Sequence, residues 1–434
     1  MRVCGWGRYP IVENAKVFLP QTRSACASLI KDHQPMITRG LGRSYGDSAN
    51  NAVIMESTFF NHFFEFDNVN GVLICESGVS IREILALVVP KGWFIPVTPG
   101  TSFVTIGGAI ASDVHGKNHH MGGAFSQYIL SIDLLLGTGE VVKVSSAHLP
   151  DLFRATCGGM GLTGVILSAS IQLMPIQSSL MRQTTIQASC LEKVCELFEE
   201  NIASTYSVAW IDCLSKGQEL GRSLLMLGEH EQYGGLEFRY SKALNIPINM
   251  PAGLLNQHSI KAFNTLYYHK NLSNKQVTTL PLDSFFYPLD KISNWNRMYG
   301  KQGFVQYQFV LPRLVGVHGL KKILMEIVAS GKGSFLAVLK AFGPANDNYL
   351  SFPVEGYALA LDFKLSLEVI SLVSRLDTLV SDMGGRIYLA KDALMSEAFF
   401  KKSYPQWEQF EIVRNKYGAI GKFASQQSNR LGLG

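Results

Sequence analysis

Between Pro99 and His120 the chain reads PGTSFVTIGGAIASDVHGKNHH, with four glycines, three histidines and a single acid, Asp113. Its centre, from Ile106 to Ala111, is small and apolar. Glycine lets a backbone come close to a ligand and turn its N–H groups toward it, and amides in such a turn cradle a pyrophosphate without a lysine. Residues His115 to His120 then set polar groups directly after that cradle. The stretch reads as the seat of a dinucleotide beside a reaction centre.

Upstream, Thr38-Arg-Gly-Leu-Gly-Arg-Ser-Tyr-Gly-Asp47-Ser48 carries GxGxxxG after a short buried strand. That spacing is one residue off the Rossmann fingerprint and no helix is expected after it, so it points away from NAD and by itself reads as a tight turn. Ser80 and Glu83 form a capping box for a helix whose buried stripe is Ile81, Ile84, Leu85 and Val88. Ile129–Leu136 and 140–144 flank Gly137-Thr-Gly139 as a hairpin. A second glycine turn runs from Gly158 to Gly164 and leads into a strand that ends before Pro175.

After about residue 178 the glycine turns thin out. Strands are expected at 303–311, 335–341, 357–363 and 384–392, and 231–280 reads as a long irregular loop. Its apolar residues Ile246, Ile248, Met250, Leu254 and Leu255 could receive a prenyl chain or form a satellite core. A chain of 434 residues exceeds one ordinary core, so two domains are expected. With 47% hydrophobic and 17% charged residues, disorder is excluded. Basic residues are scattered, which excludes a nucleic-acid surface. The seven cysteines contain no CxxC, which suits a reducing compartment and neither a disulfide framework nor a zinc site. The first residues lack a signal-peptide core and no apolar run spans a bilayer. The expected location is cytoplasmic, with membrane contact only from the side; which face of the inner membrane would be visited stays open.

The collinear set of Thr38–Asp47, Pro99-Gly-Thr, Thr105-Ile-Gly-Gly108 and Gly158–Gly164 resembles the FAD domain of the vanillyl-alcohol-oxidase type. Adding His115-Gly-Lys-Asn-His-His120, Gln306-Tyr-Gln-Phe309, Lys340-Ala-Phe-Gly-Pro344 and Tyr388-Leu-Ala-Lys-Asp392, the chain resembles the polyprenylphosphoryl-ribose 2′-oxidase branch over nearly its whole length. The resemblance implies an α+β, two-domain flavoprotein of the PCMH type. Residues 1–178 would bind FAD, 179–385 would form a substrate domain with an antiparallel sheet, and 386–434 would return to the FAD domain. FAD, held without a covalent bond, would contact Thr38, Arg39, Gly40, Leu41, Gly42, Arg43, Ser44, Tyr45, Gly46, Asp47 and Ser48. It would also contact Gly100, Thr105, Ile106, Gly107, Gly108, Ser112, Asp113, Val114, His115, Ile166 and Tyr388.

The implied activity is oxidation of the 2′-hydroxyl of a polyprenyl-phosphate-linked ribose, the first half of an epimerisation toward an arabinose donor that an NADH-linked reductase completes. A soluble FAD-dependent sugar or aldonolactone oxidase and a non-catalytic flavoprotein-like scaffold are the alternatives. Lys117, Gln306, Gln308, Lys340 and Lys391 match substrate positions, and Lys391, Lys117, Tyr45 and His115 match catalytic ones. Lys391 is expected nearest the reacting hydroxyl, against the plain reading of a surface lysine after a strand. His119 and His120 read as structural, and no metal site is expected. The sequence departs from the branch at Ala358 and Ala360, where relatives carry Asn and Cys, which excludes thiol chemistry there.

Overall fold

In strand Phe304–Pro312, Gln306 and Gln308 alternate with the buried Tyr307 and Phe309, so one face of its sheet is polar and the other is core. The computed structural model describes residues 1–251, 253–270 and 273–434. Ala252, inside the apolar stretch of 246–255, lies outside them.

The fold is α+β. Near the amino terminus a parallel three-stranded sheet runs in the order Lys16–Phe18, Val53–Glu56, Ile37–Arg39. An antiparallel five-stranded sheet follows: Val141–Val144, Ile129–Leu135, Val165–Gln172, Val72–Glu76, Phe63–Asp67. The Ser80–Glu83 capping box is present, with Glu83 N to Ser80 Oγ at 3.2 Å and Ser80 N to Glu83 Oε2 at 2.8 Å.

The largest sheet among the described residues has eight antiparallel strands: Lys275–Pro281, Leu180–Ala188, Ser223–His230, Tyr206–Ile211, Ala337–Phe342, Gly356–Lys364, Phe304–Pro312 and Arg386–Ile387. Helices Leu191–Glu200, Gly316–Ser330 and Leu367–Asp382 send Leu191, Ile323, Leu324, Leu372 and Leu376 into the core with the inward set Ala209, Leu339, Leu359 and Phe309. The opposite set, Trp210, Val338, Lys340, Ala358, Ala360, Gln306 and Gln308, lines a cavity facing the cofactor-binding sheets.

Two expectations are corrected. The expected strand over 384–392 is a strand only at Arg386–Ile387. Tyr388 N then bonds Gln308 O, and Lys391 and Asp392 N bond back to Tyr388 O, coiling the chain into a turn. The long irregular loop of 231–280 contains a twelve-residue helix, Gln257–Tyr268, capped by Asn256, and the edge strand Lys275–Pro281. Both evade periodicity: the helix splits its apolar residues between buried Ile260 and exposed Phe263 and Leu266, and the strand is almost wholly exposed.

The chain end closes over the first domain. Arg430 joins Asp47 and Asp392 at 2.8 Å each, and Arg414 lies fully buried beneath it.

Candidate functional site: a two-ended cavity

A cavity of about 650 Å³ runs between the eight-stranded sheet and the amino-terminal sheets. One end is walled by Thr38, Gly40–Ser44 and Tyr45 on one side, and by Gly100, Thr105, Gly107 and Gly108 on the other. Local chemistry fixes this end. Thr105 caps the helix Ile106–Ala111 by accepting from Gly108 N at 3.2 Å, and Gly107 N donates to Ser77 O at 2.8 Å. A Cβ on Gly40 would stand 2.2 Å from Thr105 Oγ1, so the two turns touch only because residue 40 lacks a side chain.

These walls fit a dinucleotide. Thr38 Oγ1, Ser48 Oγ, Ser77 Oγ and His115 Nδ1 are buried without a partner, and all four residues line the cavity. Buried polar atoms are normally satisfied, so four orphans around one cavity mark where a polar ligand completes the structure. Among the described residues the amides of Leu41, Gly42, Arg43 and Ser44 have no protein acceptor. Ser112, Val114, Ile166 and Tyr388 line the next stretch, and Tyr388 OH donates to Ser112 O at 2.9 Å.

Five expected contacts do not line the cavity. Asp113 is fully buried, and its carboxylate accepts from Ser126 N, Asn346, Asn348 and Ser351 at 2.7–3.0 Å. Arg39 turns to Cys4 O at 2.8 Å and Asn50 at 2.6 Å. Asp47 belongs to the Arg430 bridge. A Cβ on Gly46 would fall 1.8 Å from Asp392 O, so Gly46 serves a backbone crossing. Ile106 is a core residue on its helix. These residues brace the seat. Residues the sequence reading missed include Ser77, which no motif flags, and Met160 and Gly161, for which the Gly158–Gly164 turn is the detectable sign.

Gly40→Ala is expected to weaken FAD binding at least about tenfold, the equivalent of ~1.4 kcal/mol, because the turn must separate from Thr105. The flavin-to-protein absorbance ratio after gel filtration reads this; an unchanged ratio contradicts it.

The middle of the cavity is cationic. His115 Nε2 accepts from the Gln308 amide at 2.9 Å, which leaves the ring proton on Nδ1. Burial, with Lys340, His119 and Lys391 nearby, holds His115 well below the usual histidine range, so the ring is neutral. Phe342, Phe352 and Tyr388 pack around it with centroids 4.8–5.4 Å away. The next two histidines are spent on backbone: His119 Nδ1 accepts from Gly343 N and His120 Nε2 bonds Ser204 O.

Lys117, Lys340 and Lys391 converge here. Lys117 donates to Phe285 O and lies 4.2 Å from the Phe285 ring centroid; burial, then Lys340, push it down to about 7. Burial alone brings Lys340 to about 8. Lys391 sits 3.7 Å over the Tyr45 ring. Burial lowers it, and the carboxylate of Asp362 opposes that shift more strongly than Lys340 adds to it. Lys391 is therefore not a surface lysine, and among the described residues Lys117 has no ion pair. Asp362 is almost fully buried, held by Gln306 and raised by desolvation. Tyr45 N is tied to Ala390 O at 2.9 Å, which fixes Tyr45 beside the Lys391 turn. Ala360 lies between Gln308 and Val338, and Ala358 pairs with Lys340, so the two short side chains leave room beside the cations.

Beyond the lysines the walls become apolar: Trp210, Met226, Val338, Phe335, Phe263 and Tyr267. None of the described residues of 246–255 lines this arm. Ile246 and Leu255 pack on the Trp295–Tyr299–Phe304 cluster instead, and helix Gln257–Tyr268 takes the wall.

An FAD binding domain family matches residues 15–145. The chain is 35% identical to the decaprenylphosphoryl-β-D-ribose oxidase of Mycolicibacterium smegmatis over 100% of its own length and 97% of the relative's. It is 20% identical to the L-gulono-1,4-lactone dehydrogenase of Mycobacterium tuberculosis over 98% of both chains.

Proposed function

Because the chain belongs to the decaprenylphosphoryl-β-D-ribose oxidase family of FAD-dependent oxidoreductases, we propose that it oxidises the 2′-hydroxyl of a polyprenylphosphoryl-β-D-ribose to the 2′-keto sugar. One observation carries the reading: three lysines, one of them opposed by the carboxylate of Asp362, meet where the glycine-walled seat joins an apolar arm. A flavin, an anionic sugar phosphate and a hydrocarbon tail have their chemical complements in that order.

Bound FAD supplies the hydride acceptor. Thr38, Ser48, Ser77 and the Gly40–Ser44 turn hold it without a covalent bond, and neutral His115, fixed by Gln308, packs against it. Residues 1–178 form the cofactor side and 179–385 the substrate side, whose eight-stranded sheet also takes Arg386–Ile387; from Tyr388 on, the rest of 386–434 closes on the cofactor side. Lys117 and Lys340 hold the phosphate. Gln306 orients the sugar, and Lys391 takes the hydroxyl proton over the Tyr45 ring. The keto product is an intermediate of an epimerisation, so a separate NADH-linked reductase completes the inversion. A prenyl-linked substrate places the enzyme at the edge of a membrane; among the described residues no helix is long and apolar enough to cross one.

The test is anaerobic mixing of holoenzyme with polyprenylphosphoryl-β-D-ribose, free ribose or an aldonolactone. Flavin bleaching by the lipid-linked sugar is expected. Bleaching only by the lactone or free sugar assigns the chain to soluble substrates and overturns the reading.

A further inference from the structure

Helix Gln257–Tyr268 exposes large apolar side chains. Its inward face carries Ile260, Tyr268 and the fully buried amide of Asn264, which donates to Asp212 at 2.8 Å. Its outward face sets Ala262, Phe263 and Leu266, with Leu266 75% exposed, among Gln257, His258 and Lys261. A helix facing water normally shows charged and polar residues there, without side chains as large as Leu and Phe. Leu244 and Ile248 are likewise 77% and 66% exposed, although Ile246 and Leu255 from the same stretch pack into the cluster that includes Phe335. Phe263 stacks edge-on to that Phe335 with centroids 5.8 Å apart, so the loop and the helix share one support.

The charge on this surface has one sign. Residues 238–282 contain no Asp or Glu, while Lys242, Lys261, Lys270 and Lys275 are all exposed. Glu219, whose charge is felt at Tyr268, is neutralised by Arg222 at 3.0 Å. Exposed apolar side chains set among unopposed lysines match the boundary of an anionic bilayer, where each lysine contributes roughly 1 kcal/mol near the surface. The same helix supplies Phe263 and Tyr267, and the turn after it Lys270, to the cavity lining, so surface and site are continuous.

We propose that the outer face of helix Gln257–Tyr268, with Leu244 and Ile248, docks on an anionic lipid bilayer, and that the prenyl chain passes directly from the bilayer along Phe263 and Tyr267 into the cavity. The proposal rests on the lipid-linked substrate read above. Lys270, 3.7 Å over the Tyr267 ring, also lines this arm, where a phosphate entering ahead of its lipid tail first meets a cation.

The test is cosedimentation of the holoenzyme with vesicles of phosphatidylcholine, alone or with about 30% phosphatidylglycerol. Binding to the anionic vesicles, weakened by salt, is expected. Leu266→Glu and Lys261→Glu should each reduce it by roughly tenfold or more, without changing oxidation of a short-chain phosphoribosyl analogue, since neither residue lines the cavity. Absence of vesicle binding, equal binding to neutral vesicles, or a change of oligomeric state in Leu266→Glu in place of a loss of binding overturns the proposal. Should the wild type bind vesicles but fail to oxidise the analogue, the substrate reading falls and the docking surface stands.

Discussion

Lys391→Met is expected to lower kcat by about 10²–10⁴-fold, the range a positioned general base contributes, while the flavin content of the purified enzyme stays at the wild-type level. The side chain lies 3.7 Å over the Tyr45 ring and bonds none of the orphaned hydroxyls of Thr38, Ser48 and Ser77. A buried lysine whose pKa is depressed loses its proton more readily than a free one, so the wild-type kcat/KM should rise with pH through that depressed value and level off above it. Asp362 favours the charged lysine. Asp362→Asn should therefore shift the rising limb toward lower pH, an effect that a structural role for Asp362 does not produce. Lys391→Arg should not restore the rate, because a guanidinium stays protonated. A raised KM with kcat retained in Lys391→Met would instead make the lysine a phosphate holder.

Arg414→Leu should destabilise the protein by about 3–5 kcal/mol, the cost of breaking a buried charged network, read as a lowered denaturation midpoint. The side chain is fully buried and donates to Leu162 O at 3.0 Å, Phe423 O at 2.9 Å and Gly434 O at 3.0 Å, with Glu411 as its ion partner. Leucine fills part of the volume but strands three carbonyls and a carboxylate. Arg414→Lys should recover little, since one ammonium cannot reach acceptors spread around a planar fork. Lys416→Ala is the comparison: its exposed bridge to Asp151 should be worth about 0–1 kcal/mol.

The glycine turns, the capping box of Ser80 and the hairpin at Gly137-Thr-Gly139 were legible in the sequence, because each rests on interactions within a few residues. The directions of Asp113 and Arg39 were not. They lie inside glycine motifs, yet Asp113 is claimed by Asn346, Asn348 and Ser351, more than 230 residues away. A motif fixes the backbone's path but not which partner folds back onto a side chain. Ser77 escaped for the opposite reason: it has no motif, and its orphaned hydroxyl is defined only once the Gly107 turn is packed beside it. Helix Gln257–Tyr268 escaped because its apolar residues are split between the buried Ile260 and Tyr268 and the exposed Phe263 and Leu266, so no single apolar stripe marks it.

The bridge from Arg430 to both Asp47 and Asp392 has a consequence in time. Asp47 is made early and Asp392 late, and the lysine turn at 388–391 hangs from the same junction. A growing polypeptide can therefore shape its glycine turns while still being synthesised, but it cannot close the reactive end of the site until residue 430 has left the ribosome exit tunnel. Cofactor loading into a finished seat thus waits for the helix that carries Arg430, and that helix acts as the latch.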